Sequence, residues 1–162
     1  MTNLLNILNN LAVKILQDKD KGQLTLFALA KLSDSKGWDL LISADWCKRP
    51  SVETFKYLYK NFKEEQQKYV ENMSTKDRDT VSAEILEFLE FPFIILSKDL
   101  ELVQGLNRLY DDKPIHIKPV AININSSKII EEIYLFATDN KTNRSQFQFL
   151  EYGRERVEIL IS

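Results

Sequence analysis

Cysteine and histidine each occur once in this 162-residue chain, as Cys47 and His116. A lone thiol closes no intramolecular disulfide, and one thiol with one imidazole cannot build a Cys/His metal cluster. The same scarcity leaves Ser–His and Cys–His nucleophilic pairs without support. Glycine and proline occur four times each, too rarely for collagen-like or Pro-rich architectures. The glycines, at 22, 37, 105 and 153, stand apart, so no G-x-G-x-x-G or G-x-x-x-x-G-K-[ST] loop is present to cradle a phosphate. H-E-x-x-H, C-x-x-C and G-x-S-x-G are also missing. No cofactor, no metal site and no catalytic residue is therefore expected.

Charge of one sign is lacking too. Lys and Arg number 22 against 24 Asp and Glu, a formal net charge of -2. This balance argues against non-specific nucleic-acid binding, which needs many uncompensated phosphate contacts, and no run of like charge forms a tail. Long apolar runs are absent from the N-terminus, where Asn3, Asn6, Asn9 and Asn10 interrupt the leucines. Neither a signal-peptide apolar region nor a membrane helix of about 20 apolar residues fits there. The expectation is a cytoplasmic protein with no membrane partner, and the lone cysteine agrees with a reducing compartment.

What is present suits a folded domain: 44% hydrophobic and 10% aromatic residues over a length that predicts one domain, 1–162. Leu4, Leu5, Leu8, Leu11, Ala12, Ile15 and Leu16 recur at helical spacing, which predicts a helix over 3–17. Residues 23–33 and 38–44 flank the turn Asp34-Ser35-Lys36-Gly37 and read as a hairpin, the first strand apolar on both faces. Pro50 and Ser51 open a helix over 51–71, with Val52, Phe55, Tyr59, Phe62, Gln66 and Tyr69 as the seam to be buried. Residues 77–90 fit helix or strand, with Ser74 and Asp77 shaped as a capping pair. A short strand follows at 91–96 and a helix at 99–110, the latter weakened by Gly105. Beyond Ile115 the chain turns β-rich, with 129–137 favouring a strand and a hairpin pairing 145–152 with 154–162. In that hairpin Phe147 and Phe149 are expected beside Val157, Ile159 and Ile161. The fold class is α+β: an antiparallel or mixed sheet of about five to seven strands carrying three or four helices.

The densest chemistry lies where the second strand runs into the next helix. Asp45, Trp46, Cys47, Lys48 and Arg49 place an acid, a large aromatic, a thiol and two cations in succession. They form a candidate binding corner in which Trp46 anchors a partner and Arg49 recognises an anion. The plainer alternative has Trp46 capping the core, Asp45 capping the turn and both cations in water. Cys47 near a helix start is either a thiol of lowered pKa or a small buried hydrophobe. The stretch Trp38-Asp39-Leu40-Leu41-Ile42-Ser43-Ala44-Asp45-Trp46 resembles a strand-end segment of uncharacterised bacterial proteins that read Trp-Asp-Leu, two aliphatics, then Ser-Ala. The likeness implies no activity.

Elsewhere the signals are plainer. His116 alternates with Ile115 and Ile117, as an exposed strand histidine would. Asp77, Asp79 and Glu84 have oxygen ligands for a hard cation, but residues two apart on a helix do not face one another. The function expected is a non-enzymatic protein-interaction or scaffold domain, self-associating as a homodimer. Its interface is expected on Leu4, Leu8, Leu11 and Ile15, since the opposite face of that helix is polar and uncharged. One alternative is a carboxylate-dependent, metal-assisted hydrolase using Asp39 or Asp45 with acids from 77–84. Another is weak RNA or single-strand binding through Lys56, Tyr57, Lys60 and Lys63, or through Tyr152, Arg154 and Arg156.

Overall fold

Leucine and isoleucine at helical spacing make Thr2–Gln17 the first helix, α1, which buries Leu4, Ile7, Leu8, Leu11, Ala12 and Ile15 along one side. The structure, a computed structural model, describes residues 1–49, 51–107, 115–118, 122–123, 128–136, 138, 147–152 and 155–160. After α1 come β1 (Leu24–Leu32), β2 (Trp38–Ala44), α2 (Val52–Val70), α3 (Thr75–Phe88), β3 (Leu89–Ile95) and α4 (Glu101–Asn107). The short strands β4 (Ile115–Ile117) and β5 (Ile122–Asn123) precede β6 (Ile129–Leu135), and β7 (Phe147–Tyr152) and β8 (Glu155–Leu160) close the order. The fold is α+β, with a mixed sheet in the order β3-β2-β1-β6-β4 and β5 also paired to β6.

Local chemistry explains the elements. The β1–β2 turn is pinned from within: Lys31 Nζ donates to the carbonyls of Ser35, Lys36 and Gly37 at 3.0, 2.6 and 3.0 Å. β1 pairs with β2 on one side and β6 on the other, both antiparallel, so it is central, as its two-faced apolar run requires. Ser51 caps α2 by accepting from the Thr54 N–H at 3.1 Å, and Ser74 caps α3 through the Asp77 N–H at 3.2 Å. That second cap resolves the ambiguity of 77–90 in favour of helix up to Phe88. The expected strand and helix after it are present as β3 and α4, while 108–110 lie outside the described residues.

The two faces of the sheet carry separate cores. On one, α1, α2 and α3 pack Leu8, Leu11, Leu58, Phe62 and Ile85 over Phe27, Leu29 and Leu40. On the other, Leu102, Val103 and Leu106 of α4 cover Leu26, Ala28, Leu41 and Ile133. β2 and β3 are parallel neighbours, joined by the α2–α3 crossover on the first face. The chain then leaves β3 for α4 on the second face.

Three expectations are corrected here. Leu4, Leu8, Leu11 and Ile15 are buried in this chain's own core, so they form no exposed interface stripe. The seam of α2 is rotated at its start: Phe62 is buried as expected, but Thr54, Leu58, Glu65 and Val70 join it, while Val52, Phe55 and Tyr59 are exposed. The final hairpin forms, but Phe147 pairs with Leu160 and Phe149 with Glu158. That register is one residue away from setting the phenylalanines beside Val157 and Ile159, since the ladder begins with Tyr152 opposite Glu155.

Candidate functional site

The corner after β2 is held by the loop before β1. Gly22 has φ +70, a conformation only glycine adopts without strain, and it brings Gln23 alongside Asp45. The Asp45 N–H donates to the Gln23 carbonyl at 3.0 Å, and Asp45 Oδ2 accepts from the Gln23 N–H at 3.3 Å. Lys98, just past β3, reaches Asp45 Oδ1 at 3.4 Å. Asp45 is thus the hinge pin of the corner.

Trp46 packs edge-on to Tyr57 of α2, with ring centroids 5.1 Å apart at 72°. Lys21 lies 4.3 Å from the Tyr57 ring centroid and 5.7 Å from that of Trp46, within range of cation–π attraction. The Tyr57 hydroxyl donates to Asp18 Oδ2 at 2.8 Å. Burial first, then this bond to a carboxylate, pushes the phenol well above its ordinary pKa. The Trp46 indole N–H is buried with no hydrogen-bond partner among the described residues.

Cys47 is 1% exposed. Burial pushes its thiol up to about 11, only partly offset by a hydrogen bond with Thr54. Since thiolate is the reactive form, the helix start does not activate this cysteine. It is the small buried hydrophobe of the two readings. Lys48 and Arg49 are exposed and make no ion pair among the described residues.

Two clefts flank Lys48. One, of about 170 Å³, lies between the ends of β2 and β3 and is lined by Asp45, Lys48, Ser97, Lys98 and Asp99 over Leu96. The other, of about 270 Å³, is lined by Lys48, Arg49, Trp46, Ser51 and Thr54. The first lies where the chain departs from adjacent parallel strands to opposite faces of the sheet. In open sheets the crevice at such a switch point, outside the carboxyl ends of the strands, is where ligands bind.

The structure brings Asp45, Trp46, Lys48 and Arg49 together as a surface corner and places Cys47 behind them. It adds Lys21, Ser97, Lys98 and Asp99, which sequence reasoning missed, and Tyr57, which the sequence offered only for the basic–aromatic face. Lys98 is remote in the chain from Asp45, and only the parallel β2–β3 pairing makes them neighbours. The acids of the hydrolase reading are scattered instead. Asp39 is buried at the start of β2, accepts from the Ser35 hydroxyl, and is about 20 Å along the strand from Asp45. Asp77 and Asp79 are exposed beyond the far end of α2, a helix about 28 Å long at 1.5 Å per residue. Among the described residues no group of three or more His, Cys, Asp or Glu is placed to hold a metal ion.

Glu84 has a structural task. It accepts from the Leu4 N–H at 3.0 Å and Asn3 Nδ2 at 2.7 Å and meets the Met1 amino group at 2.6 Å, capping α1 from α3. Burial opposes its charge, but these donors outweigh it and hold the carboxyl below the usual range. His116 stacks on Tyr134 with centroids 4.2 Å apart and meets Glu132 through Nε2. Of the basic–aromatic face, Tyr57 is engaged with Trp46, Lys21 and Asp18, while the side chains of Tyr152, Arg154 and Arg156 lie outside the described residues.

Comparison with protein-family models, with curated proteins and with solved structures finds no match for this chain. Among the described residues no helix is long and apolar enough to cross a membrane.

Proposed function

We propose that this chain is a non-enzymatic protein-interaction domain that reads an anionic group of its partner at the carboxyl ends of β2 and β3. The observation that carries this reading is the switch-point corner itself: Lys48 lines both clefts, and neither it nor Arg49 is neutralised by an ion pair among the described residues. An ammonium and a guanidinium side by side suit a carboxylate or phosphate, which the guanidinium binds in bidentate fashion. Trp46, packed against Tyr57, lines the second cleft beside them and gives it an apolar wall.

Enzymatic chemistry has no comparable support, since the thiol is held protonated and the candidate carboxylates are dispersed or engaged. Self-association through α1 is not part of the reading either, because its leucine stripe is core. A cytoplasmic setting fits the lone buried thiol.

The test is an NMR titration of the isotope-labelled chain with inorganic phosphate and with N-acetylglutamate. The reading expects saturable shifts of the Trp46 indole N–H and of the Lys48 and Arg49 amides, abolished by Lys48→Ala with Arg49→Ala. Shifts that do not saturate, or that persist unchanged in the double variant, contradict it.

A further inference from the structure

The exposed apolar residues of α2 begin immediately beyond the corner. Val52 is 69%, Phe55 39% and Tyr59 42% exposed, spaced so that all three share one flank of the helix. Phe55 and Tyr59 stack with centroids 5.8 Å apart at 15°, and Phe55 also meets Phe93 of β3 at 5.9 Å. The stripe therefore follows the seam between α2 and the edge strand of the sheet. Lysines border it on the solvent side: Lys56, Lys60 and Lys63 are all exposed, and Lys63 Nζ lies 5.6 Å from the Tyr59 ring centroid. Lys56 and Lys60 make no ion pair among the described residues. On the same side as the lysines, Glu64 is paired with Lys14 of α1 and lies within electrostatic reach of Lys60.

We infer that α2 is the docking face for an acidic amphipathic segment of another protein, which lies along Val52, Phe55 and Tyr59 with its carboxylates toward Lys56, Lys60 and Lys63. This rests on the corner reading, because the stripe starts at Val52, next in the chain to Ser51, which lines the corner's second cleft. Charge decides the occupant. A second copy packed antiparallel about a two-fold axis perpendicular to α2 would set each lysine row against its own duplicate, a like-charge contact. Nucleic acid would have to stack on rings that are already engaged, Tyr59 with Phe55 and Lys63, on a chain of net charge -2. An aliphatic as exposed as Val52 calls for side chains rather than bases. Val52 to Lys63 spans about 16 Å of helix, room for about three turns of a partner helix with apolar anchors at i, i+3, i+4 and i+7.

The experiment uses the full chain and three probes in calorimetric titrations: a 20-residue peptide with leucine at a and d positions and glutamate elsewhere, its lysine counterpart, and a 20-nucleotide oligothymidine. The acidic peptide is expected to bind saturably and the lysine peptide not to bind. Reversal of the row by Lys56→Glu, Lys60→Glu and Lys63→Glu should weaken binding at least tenfold, and so should Val52→Ser with Tyr59→Ser. Phe55 is left intact in both variants because it supports Phe93, and circular dichroism melts confirm that each is folded. If Lys48→Ala with Arg49→Ala abolishes binding while both α2 variants bind normally, docking along α2 is overturned and the corner reading stands. If only the α2 variants lose binding, the docking face stands and the corner reading falls. Equal binding of the two peptides, tighter binding of the oligonucleotide, no binding at all, or a dimer that the α2 variants dissociate overturns the inference.

Discussion

Helix α1 turns Leu4, Leu8, Leu11 and Ile15 into the core, whereas α2 leaves Val52, Phe55 and Tyr59 in contact with water. Both helices carry large apolar residues at helical spacing, so periodicity alone treats them alike. The difference lies in what surrounds them. α1 packs against α2, α3 and β1, and even its polar flank is used, Asn3 accepting from the Tyr69 hydroxyl at 2.9 Å. α2 commits Thr54, Leu58, Phe62 and Glu65 to that packing and retains a second, outward stripe. An apolar stripe thus reports that a helix has something to cover, and the neighbouring elements decide whether the chain covers it itself.

The contrast between the two helices is largest at Leu8. Leu8→Ala deletes a side chain with no exposure and should cost about 2–5 kcal/mol in denaturant unfolding; a loss below about 1 kcal/mol would mean that α1 is not core. Glu84→Gln should cost less, about 1–2 kcal/mol, by weakening the cap of α1. Because the folded carboxyl is held below its ordinary value of about 4.3, its contribution is present above that pH and is lost as pH falls through the folded value. The variant should therefore lose less stability than the parent between neutral pH and the acid range, and parallel stability–pH curves would refute the cap. The smallest effects belong to α2. Val52→Ser and Tyr59→Ser should each cost about 1 kcal/mol or less, and a loss matching that of Leu8→Ala would place them in the core after all.

Much of this arrangement was legible in the sequence. The α+β class, the central two-faced strand β1, the Ser51 and Ser74 caps and the positions of α1, α2 and α4 follow from local pattern, because capping and periodicity are local physics. The rotation of the α2 seam was not legible. That 54 and 58 are buried in place of 52, 55 and 59 depends on Leu58 meeting the core shared with α1 and the sheet, a long-range fact. The same limit applies to the corner. Asp45 through Arg49 stand out by composition, but Lys98 and Asp99 join them only through the parallel pairing of β2 with β3. The register of β7 with β8 is also off by one residue: Phe147 pairs with Leu160 where the expected face needs Ile159, and a slip of one reverses the faces.

The most direct test of the account is residue-by-residue chemical-shift mapping of the isotope-labelled chain with the acidic amphipathic peptide. Shifts are expected only at 45–49 and on the outward flank of α2 from Val52 to Lys63, with the amides of α1 unmoved. Perturbation centred on α1, or spread evenly over both helices, would contradict the division between a helix that the chain covers and a helix that it offers.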